Sequence, residues 1–113
     1  MLDQVKVFKA LADETRLRLM RLLARGALNV NEIIGILEMG QSRVSRHLRI
    51  LAEADLVTSR REGTWIYYQW SSADGASTLV GDTLAHLGAH ERDLSHYESD
   101  IQGLEAVVAR RRD

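Results

Sequence analysis

The sequence predicts a mainly α fold with one small β hairpin, and three observations carry that expectation. Apolar residues recur at the three-and-four spacing of a helix through successive stretches up to residue 57. Two β-prone runs, 56–61 and 64–70, then flank Glu62 and Gly63, a two-residue connection with a glycine available for a positive φ. Beyond Trp70 the helical spacing returns. At 113 residues the chain has the length of one domain, large enough for a modest core and small enough to benefit from a partner surface. The expected division is a domain over 1–91 and a C-terminal helical extension over 92–113.

Taken in order, Asp3 suits the N-cap of a first helix whose stripe is Val5, Phe8, Leu11 and Ala12, with Phe8 read as core. Asp13 can cap a second helix with Leu19, Leu22 and Leu23 as its core stripe, Gly26 as its stop, and Arg16 and Arg18 on its solvated face. Asn29 followed three residues later by Glu32 is the pattern of a capping box. The helix it opens runs through Glu38 and should bury Ile33, Ile34 and Leu37, with Met39 and Gly40 turning the chain. Residues 40–57 read as one further helix, on the stripe Val44, Leu48 and Leu51. In the hairpin, Ile66, Tyr68 and Trp70 share one face and Trp65, Tyr67 and Gln69 the other.

Ala76, Leu79, Val80, Thr83, Leu84 and Leu87 make the apolar face of a later helix, weakened by glycines at 75, 81 and 88. Leu94, Tyr97, Ile101, Leu104 and Val108 form a two-heptad seam. Two heptads are too short to stand alone, so this segment is expected to pack on the dimer helices or on its own mate. Arg110, Arg111 and Arg112 read as a solvated end.

The helix over 40–57 carries the chemistry. Its first three turns hold Arg43, Arg46 and Arg49 with Ser42 and Ser45 and no acid, whereas a solvated face in a chain of net charge −1 would mix both signs. Arginines and small polar groups on one face suit a recognition helix in the DNA major groove, with Gln41, Ser42, Arg43, Ser45, Arg46 and Arg49 as the contacts. A helix-turn-helix followed by a hairpin is a winged helix, in which Arg60, Arg61 and Thr64 reach the phosphate backbone beside the groove. The competing interpretation is a basic surface without a partner. Charge distribution favours DNA: residues 40–70 hold five basic and three acidic groups, and 71–113 hold four and eight.

These motifs resemble a known family. Phe8, Lys9, Ala10, Leu11, Ala12, Asp13, Glu14, Thr15, Arg16, Leu17 and Arg18 open the match. Gln41, Ser42, Arg43, Val44, Ser45, Arg46, His47 and Leu48 continue it, and Arg61, Glu62, Gly63, Thr64, Trp65, Ile66, Tyr67 and Tyr68 close it. Collinear over roughly residues 3–71, they resemble the arsenic-repressor (ArsR) family of small dimeric winged-helix transcriptional regulators. The resemblance implies a homodimer through the first and last helices, double-stranded operator DNA as partner, and release by an effector. The chain departs from the family pattern at Ser42, where proline is frequent. It departs again at Asn29 and Asn31, which look to be the positions of the cysteines of arsenic-sensing relatives. With no cysteine in the chain, disulfides, thiolate metal sites and thiol redox sensing are excluded.

His47 lies on the flank of the buried stripe and reads as packed rather than as a base contact. His86 and His90, one turn apart, could chelate a metal. In zinc-sensing relatives this helix offers an Asp-x-His pair plus a His with a second ligand three residues later, contributed across the dimer. Here His86 aligns with that later His but Ala89 stands three residues after it, and the early pair looks to be Ser72 or Ala73 with Asp74. Asp82 and His96 are the remaining donors. A zinc-responsive repressor using His86 and His90 is therefore the lesser alternative, and neither cofactor nor metal is expected. The expected effector is a small organic molecule held by Trp65, Tyr67, Trp70 and His86. The tail resembles the segment joining such a domain to a methyltransferase in fused relatives, which suggests an adenosyl metabolite whose adenine stacks on an aromatic face. The chain stops before any methyltransferase begins, so it is not expected to be an enzyme, although a methyltransferase-linked regulator would look the same. A dimerisation module without DNA binding would leave Arg43, Arg46 and Arg49 unexplained. No run approaches the ~18 apolar residues of a membrane span and no export signal is present, so a cytoplasmic protein is expected.

Overall fold

The computed structural model describes residues 4–71, 82, 85, 86 and 96–112. Along the chain come α1 (Gln4–Leu11), α2 (Glu14–Leu23), β1 (Leu28–Asn29), α3 (Val30–Leu37), α4 (Gln41–Glu53), β2 (Val57–Glu62), β3 (Trp65–Trp70) and α5 (Tyr97–Arg112). The strands form one antiparallel sheet in the order β1-β3-β2, and the mainly α architecture with a hairpin wing is the one expected.

Helix α1 buries Val7, Ala10 and Leu11 and leaves Val5 63% and Phe8 50% exposed. This corrects the expected stripe. The helix has two apolar faces at helical spacing, and the core takes the one containing Val7, so Phe8 lies outside. Asp3, the expected cap, is outside the described residues. Asp13 does cap α2, its Oδ2 accepting from the Arg16 backbone N–H at 3.0 Å. Leu19, Leu22 and Leu23 are buried as expected, together with Met20, Arg18 and Arg21.

The capping box at α3 is complete: Glu32 N–H donates to Asn29 Oδ1 at 2.8 Å, and Asn29 N–H donates to Glu32 Oε1 at 3.0 Å. Glu38, at φ 55°, ends the helix. Ile33, Ile36 and Leu37 are buried, while Ile34 packs half-buried at the rim. Asn29 also belongs to β1, a strand the sequence pattern does not show, where Leu28 and Asn29 pair with Tyr68 and Tyr67.

Helix α4 places Val44, Leu48 and Leu51 at 0% exposure, and each contributes about 1.5–3 kcal/mol by burial. It stops at Glu53 rather than continuing to 57. Asp55 turns left-handed at φ 60°, its N–H donates to Ala52 O at 3.0 Å, and Leu56 N–H reaches back to Leu51 O at 3.0 Å. This Schellman closure satisfies the last carbonyls and frees Val57 to begin β2. The hairpin register runs from Val57↔Trp70 to Glu62↔Trp65. Its connection is therefore Gly63 and Thr64, one residue later than expected, with Gly63 at φ 61°.

Helix α5 departs most from expectation. It packs on α2 and α3 of its own domain, burying Asp100, Leu104 and Val107, while Val108 is exposed. A Cβ at Gly103 would meet Ile36 Cγ1 and Cγ2 at 3.2 Å. The bare backbone there lets α5 approach α3 closely. Of the expected seam, Leu104 is buried, Tyr97 and Ile101 are half-buried and Val108 is exposed, while Leu94 is outside the described residues. The expected apolar helix over 76–87 lies outside the described residues apart from Asp82, Ala85 and His86, which are helical and exposed.

Candidate nucleic-acid interface

Helix α4 presents Gln41, Ser42, Arg43, Ser45, Arg46 and Arg49 together on its exposed side, opposite the Val44, Leu48 and Leu51 stripe. Its N-cap, Gly40, makes no side-chain cap bond, and its first turn carries no acid. The opening backbone N–H groups therefore point outward uncompensated, as suits a phosphate. Among the described residues Arg43, Arg46 and Arg49 have no hydrogen-bond or ion-pair partner.

The wing stands beside this face. Thr58, Ser59, Arg60, Arg61 and Glu62 are exposed along β2, and Thr64 is exposed in the turn. Arg60 differs from the arginines of α4. Its Nη1 donates to Gln69 Oε1 at 2.8 Å, its Nε to Glu62 Oε1 at 3.2 Å, and its guanidinium sits 5.5 Å from the Tyr67 ring centre. It lies along the sheet and must exchange these partners to meet a phosphate, whereas Arg61 projects from the neighbouring position.

Behind α4 lies polar structure where spacing alone predicts solvated side chains. Arg16 joins the end of α1 to His47 of α4, with Nη1 3.1 Å from His47 Nδ1. His47 is packed, as expected, at 3% exposure. Arg18 and Arg21 are buried on Asp100 of α5, which corrects the solvated placement of Arg18. Arg111 is likewise no free end: it pairs with Glu32, donates to Ala27 O at 3.1 Å and lies 5.5 Å from the Tyr67 ring centre. The Glu32 bond first, and then the Glu32 charge, raise the Arg111 pKa above its ordinary value against the cost of burial. None of these partners is visible in sequence spacing, because each joins residues far apart in the chain.

The three aromatic residues expected to hold an effector do not share one face of the sheet. Strand alternation puts Trp65 and Tyr67 on one face of β3 and Trp70 on the other, where Trp70 Nε1 donates to Met20 O at 2.8 Å. Trp65 is 49% exposed, Tyr67 lies against Arg60 and Arg111, and His86 is exposed. His90 and residues 72–74 are outside the described residues. Among the described residues no group of three or more His, Cys, Asp or Glu could hold a metal ion, and no helix is long and apolar enough to cross a membrane.

Residues 13–59 match the signature described as bacterial regulatory protein, arsR family. The chain is 50% identical over 64 residues to the arsenic resistance transcriptional regulator ArsR1 of Pseudomonas putida, a match covering 56% of this chain and 50% of that one. It therefore spans about half the length of that curated relative. An uncharacterized HTH-type transcriptional regulator of Methanocaldococcus jannaschii is 45% identical over 64 residues, covering 56% of this chain and 72% of that one. The homodimeric winged helix-turn-helix domain of a possible ArsR-family regulator from Mycobacterium bovis superposes with a TM-score of 0.64 at 34% identity, covering 81% of this chain and 84% of that one. Signature, sequence and fold agree with the α4 and wing geometry, and the chain belongs to the arsR family of bacterial regulatory proteins.

Proposed function

We propose that the chain is a homodimeric, sequence-specific DNA-binding transcriptional regulator, acting as a repressor that a small-molecule effector releases. The observation that carries this reading is the exposed face of α4, where three arginines without partners among the described residues stand beside the wing. In this reading Gln41, Ser42, Arg43, Ser45, Arg46 and Arg49 enter the major groove, while Arg61, Thr64 and a re-seated Arg60 hold the phosphates. The name of the Pseudomonas relative and the homodimeric state of the Mycobacterium domain support the regulator and the dimer respectively. So does the outer face of α1, which offers Val5 and Phe8 to a second copy.

Without cysteine, this chain cannot capture arsenite or cadmium through thiolates, so its effector is of another kind. A cleft of about 470 Å³ between α3 and the start of α5, lined in part by Arg18, His96, Ser99 and Gln102, has room and donors for a small polar molecule. The test is a gel shift with DNA from the chain's own promoter, repeated with added metals and metabolites. A protein that binds promoter and unrelated DNA with equal affinity is not this regulator.

A further inference from the structure

The reading helix is tied to the rest of the domain through one guanidinium. Arg16 Nε donates to Ala10 O at 2.5 Å, and Nη2 donates at 3.4 Å to Lys9 O, which also accepts from Ala12 N–H at 3.3 Å, so the guanidinium holds the last turn of α1. Its Nη1 lies 3.1 Å from His47 Nδ1 on the inner side of α4. A guanidinium only donates, so Nδ1 must accept, and the ring is neutral with its proton on Nε2. The charged groups facing the ring are Asp13, 3.9 Å away, and Arg16 from the α1–α2 corner, with Arg43 and Arg46 from α4 itself. Burial pushes the imidazole below its ordinary value. Asp13 opposes that, and Arg16, Arg46 and Arg43 reinforce it.

His47 directly follows Arg46 and lies one turn from Arg43, so any displacement of the helix at His47 moves both arginines. We propose that Arg16 and His47 are positioning residues for the DNA-reading face: the bond between them seats α4 in the corner of α1 and α2, and protonation of His47 breaks that bond and unseats the helix. A protonated ring has no lone pair at Nδ1 and places a second positive charge against Arg16. Because the same guanidinium holds the last turn of α1, the helix bearing Val5 and Phe8 is joined through it to the helix bearing Arg46. This inference rests on the DNA-binding reading of α4. It also has a sign that simple charge attraction does not share, since phosphates would favour a protonated His47 and strengthen binding in acid.

The experiment compares the parent with His47→Asn, whose amide oxygen accepts near the place of Nδ1 but does not titrate. Arg16→Gln, which removes the opposing charge, is the second variant. Affinity for a 30-base-pair promoter duplex is measured at fixed salt from pH 7.5 to 5.5, alongside hydrogen exchange of residues 43–49 without DNA. In the parent, affinity falls over that range by more than about twofold and by less than about tenfold, the ceiling for a group titrating below the ordinary 6.5, and exchange quickens. In both variants the change is under about twofold by the same linkage. Overlaid profiles for parent and His47→Asn, or a parent that binds more tightly in acid, overturn the positioning role while leaving DNA binding intact. A parent that binds no duplex at pH 7.5 defeats the DNA reading instead, and the exchange data alone then decide whether His47 seats α4.

Discussion

Asp100 receives Arg18 on both of its oxygens, Nε on Oδ2 at 3.0 Å and Nη2 on Oδ1 at 2.8 Å, with the carboxylate at 0% exposure. Arg21 Nη2 adds a bond to Oδ2 at 2.7 Å. The planar fork of Arg18 matches the carboxylate edge, and the arrangement fixes α5 to α2 at one rotation. A carboxylate would not be buried here without these partners, because an uncompensated charge in the interior costs several kcal/mol.

Breaking that arrangement from either side should be costly. Asp100→Ala, which strands two buried guanidinium groups, is expected to lower stability in urea by about 3–5 kcal/mol, and Arg18→Ala by less, because Arg21 still pairs with the carboxylate. The double variant should lose less than the sum, since the second change removes a charge already stranded. Additive losses would show that the two residues do not act as a pair.

Glycines on the two facing helices should respond oppositely. A Cβ added at Gly35 would meet nothing within 4 Å, so Gly35→Ala should stabilise α3 by about 0.5–1 kcal/mol. Gly103→Leu must push Ile36 aside and should cost about 1–3 kcal/mol while loosening α5. Equal melting temperatures for the two variants would contradict the close α3–α5 approach.

On DNA, Arg46→Ala should weaken promoter binding by about 1–3 kcal/mol and relax sequence preference. Arg61→Ala should weaken all sequences alike and reduce the salt slope by about one unit. An Arg46 variant with parental affinity for the promoter would remove that residue from the reading face.

Assembly should depend on the outer side of α1. Phe8→Asp leaves the core stripe of Val7, Ala10 and Leu11 untouched and places a charge on the face offered to a second copy. Light scattering at micromolar concentration should show a dimer for the parent and a monomer for the variant. An undiminished dimer would move the interface elsewhere.

Stability should also fall in mild acid, and the direction follows from His47. Its folded-state value lies below the ordinary 6.5, so the unfolded chain takes up the proton first. Stability is full above about pH 6.5, declines as the pH drops toward the folded value, and is then level for this group. Asp13 adds a second, lower window. Burial works against its charged form, but the Arg16 backbone bond, the Arg16 charge and His47 outweigh it and hold the carboxyl below its ordinary 3.8. Its contribution is present above that value and lost as the pH falls through the folded one. Urea titrations at pH 7.5 and 5.5 should differ for the parent and converge for His47→Asn.

Much of the framework is legible in the sequence because it is local. Asp13, the Asn29–Glu32 box and the stripe of Val44, Leu48 and Leu51 act within a turn or two of their own positions, so spacing suffices to find them. The face of α4 is legible for the same reason. What spacing does not show is long-range pairing. Arg18 follows the pattern of a surface arginine, and only Asp100, 82 positions away, covers it. β1 is two residues long and exists only because β3 lies beside it. Phe8 escapes a correct placement because α1 is apolar on two sides, and a helical pattern alone does not say which side meets the core.

The alternation of β3 also gives the protein two built-in reporters. The chain has two tryptophans: Trp65 is half exposed at the turn, and Trp70 is bonded through its indole to Met20 O. Their emission should therefore separate without any label. Trp65 emits at longer wavelength and is open to iodide quenching, whereas Trp70 is shielded and responds when α2 parts from the sheet. With a Trp70→Phe background the remaining signal follows events at the wing, and with Trp65→Phe it follows the integrity of the core. One titration can thus distinguish a ligand that touches the hairpin from one that loosens the domain.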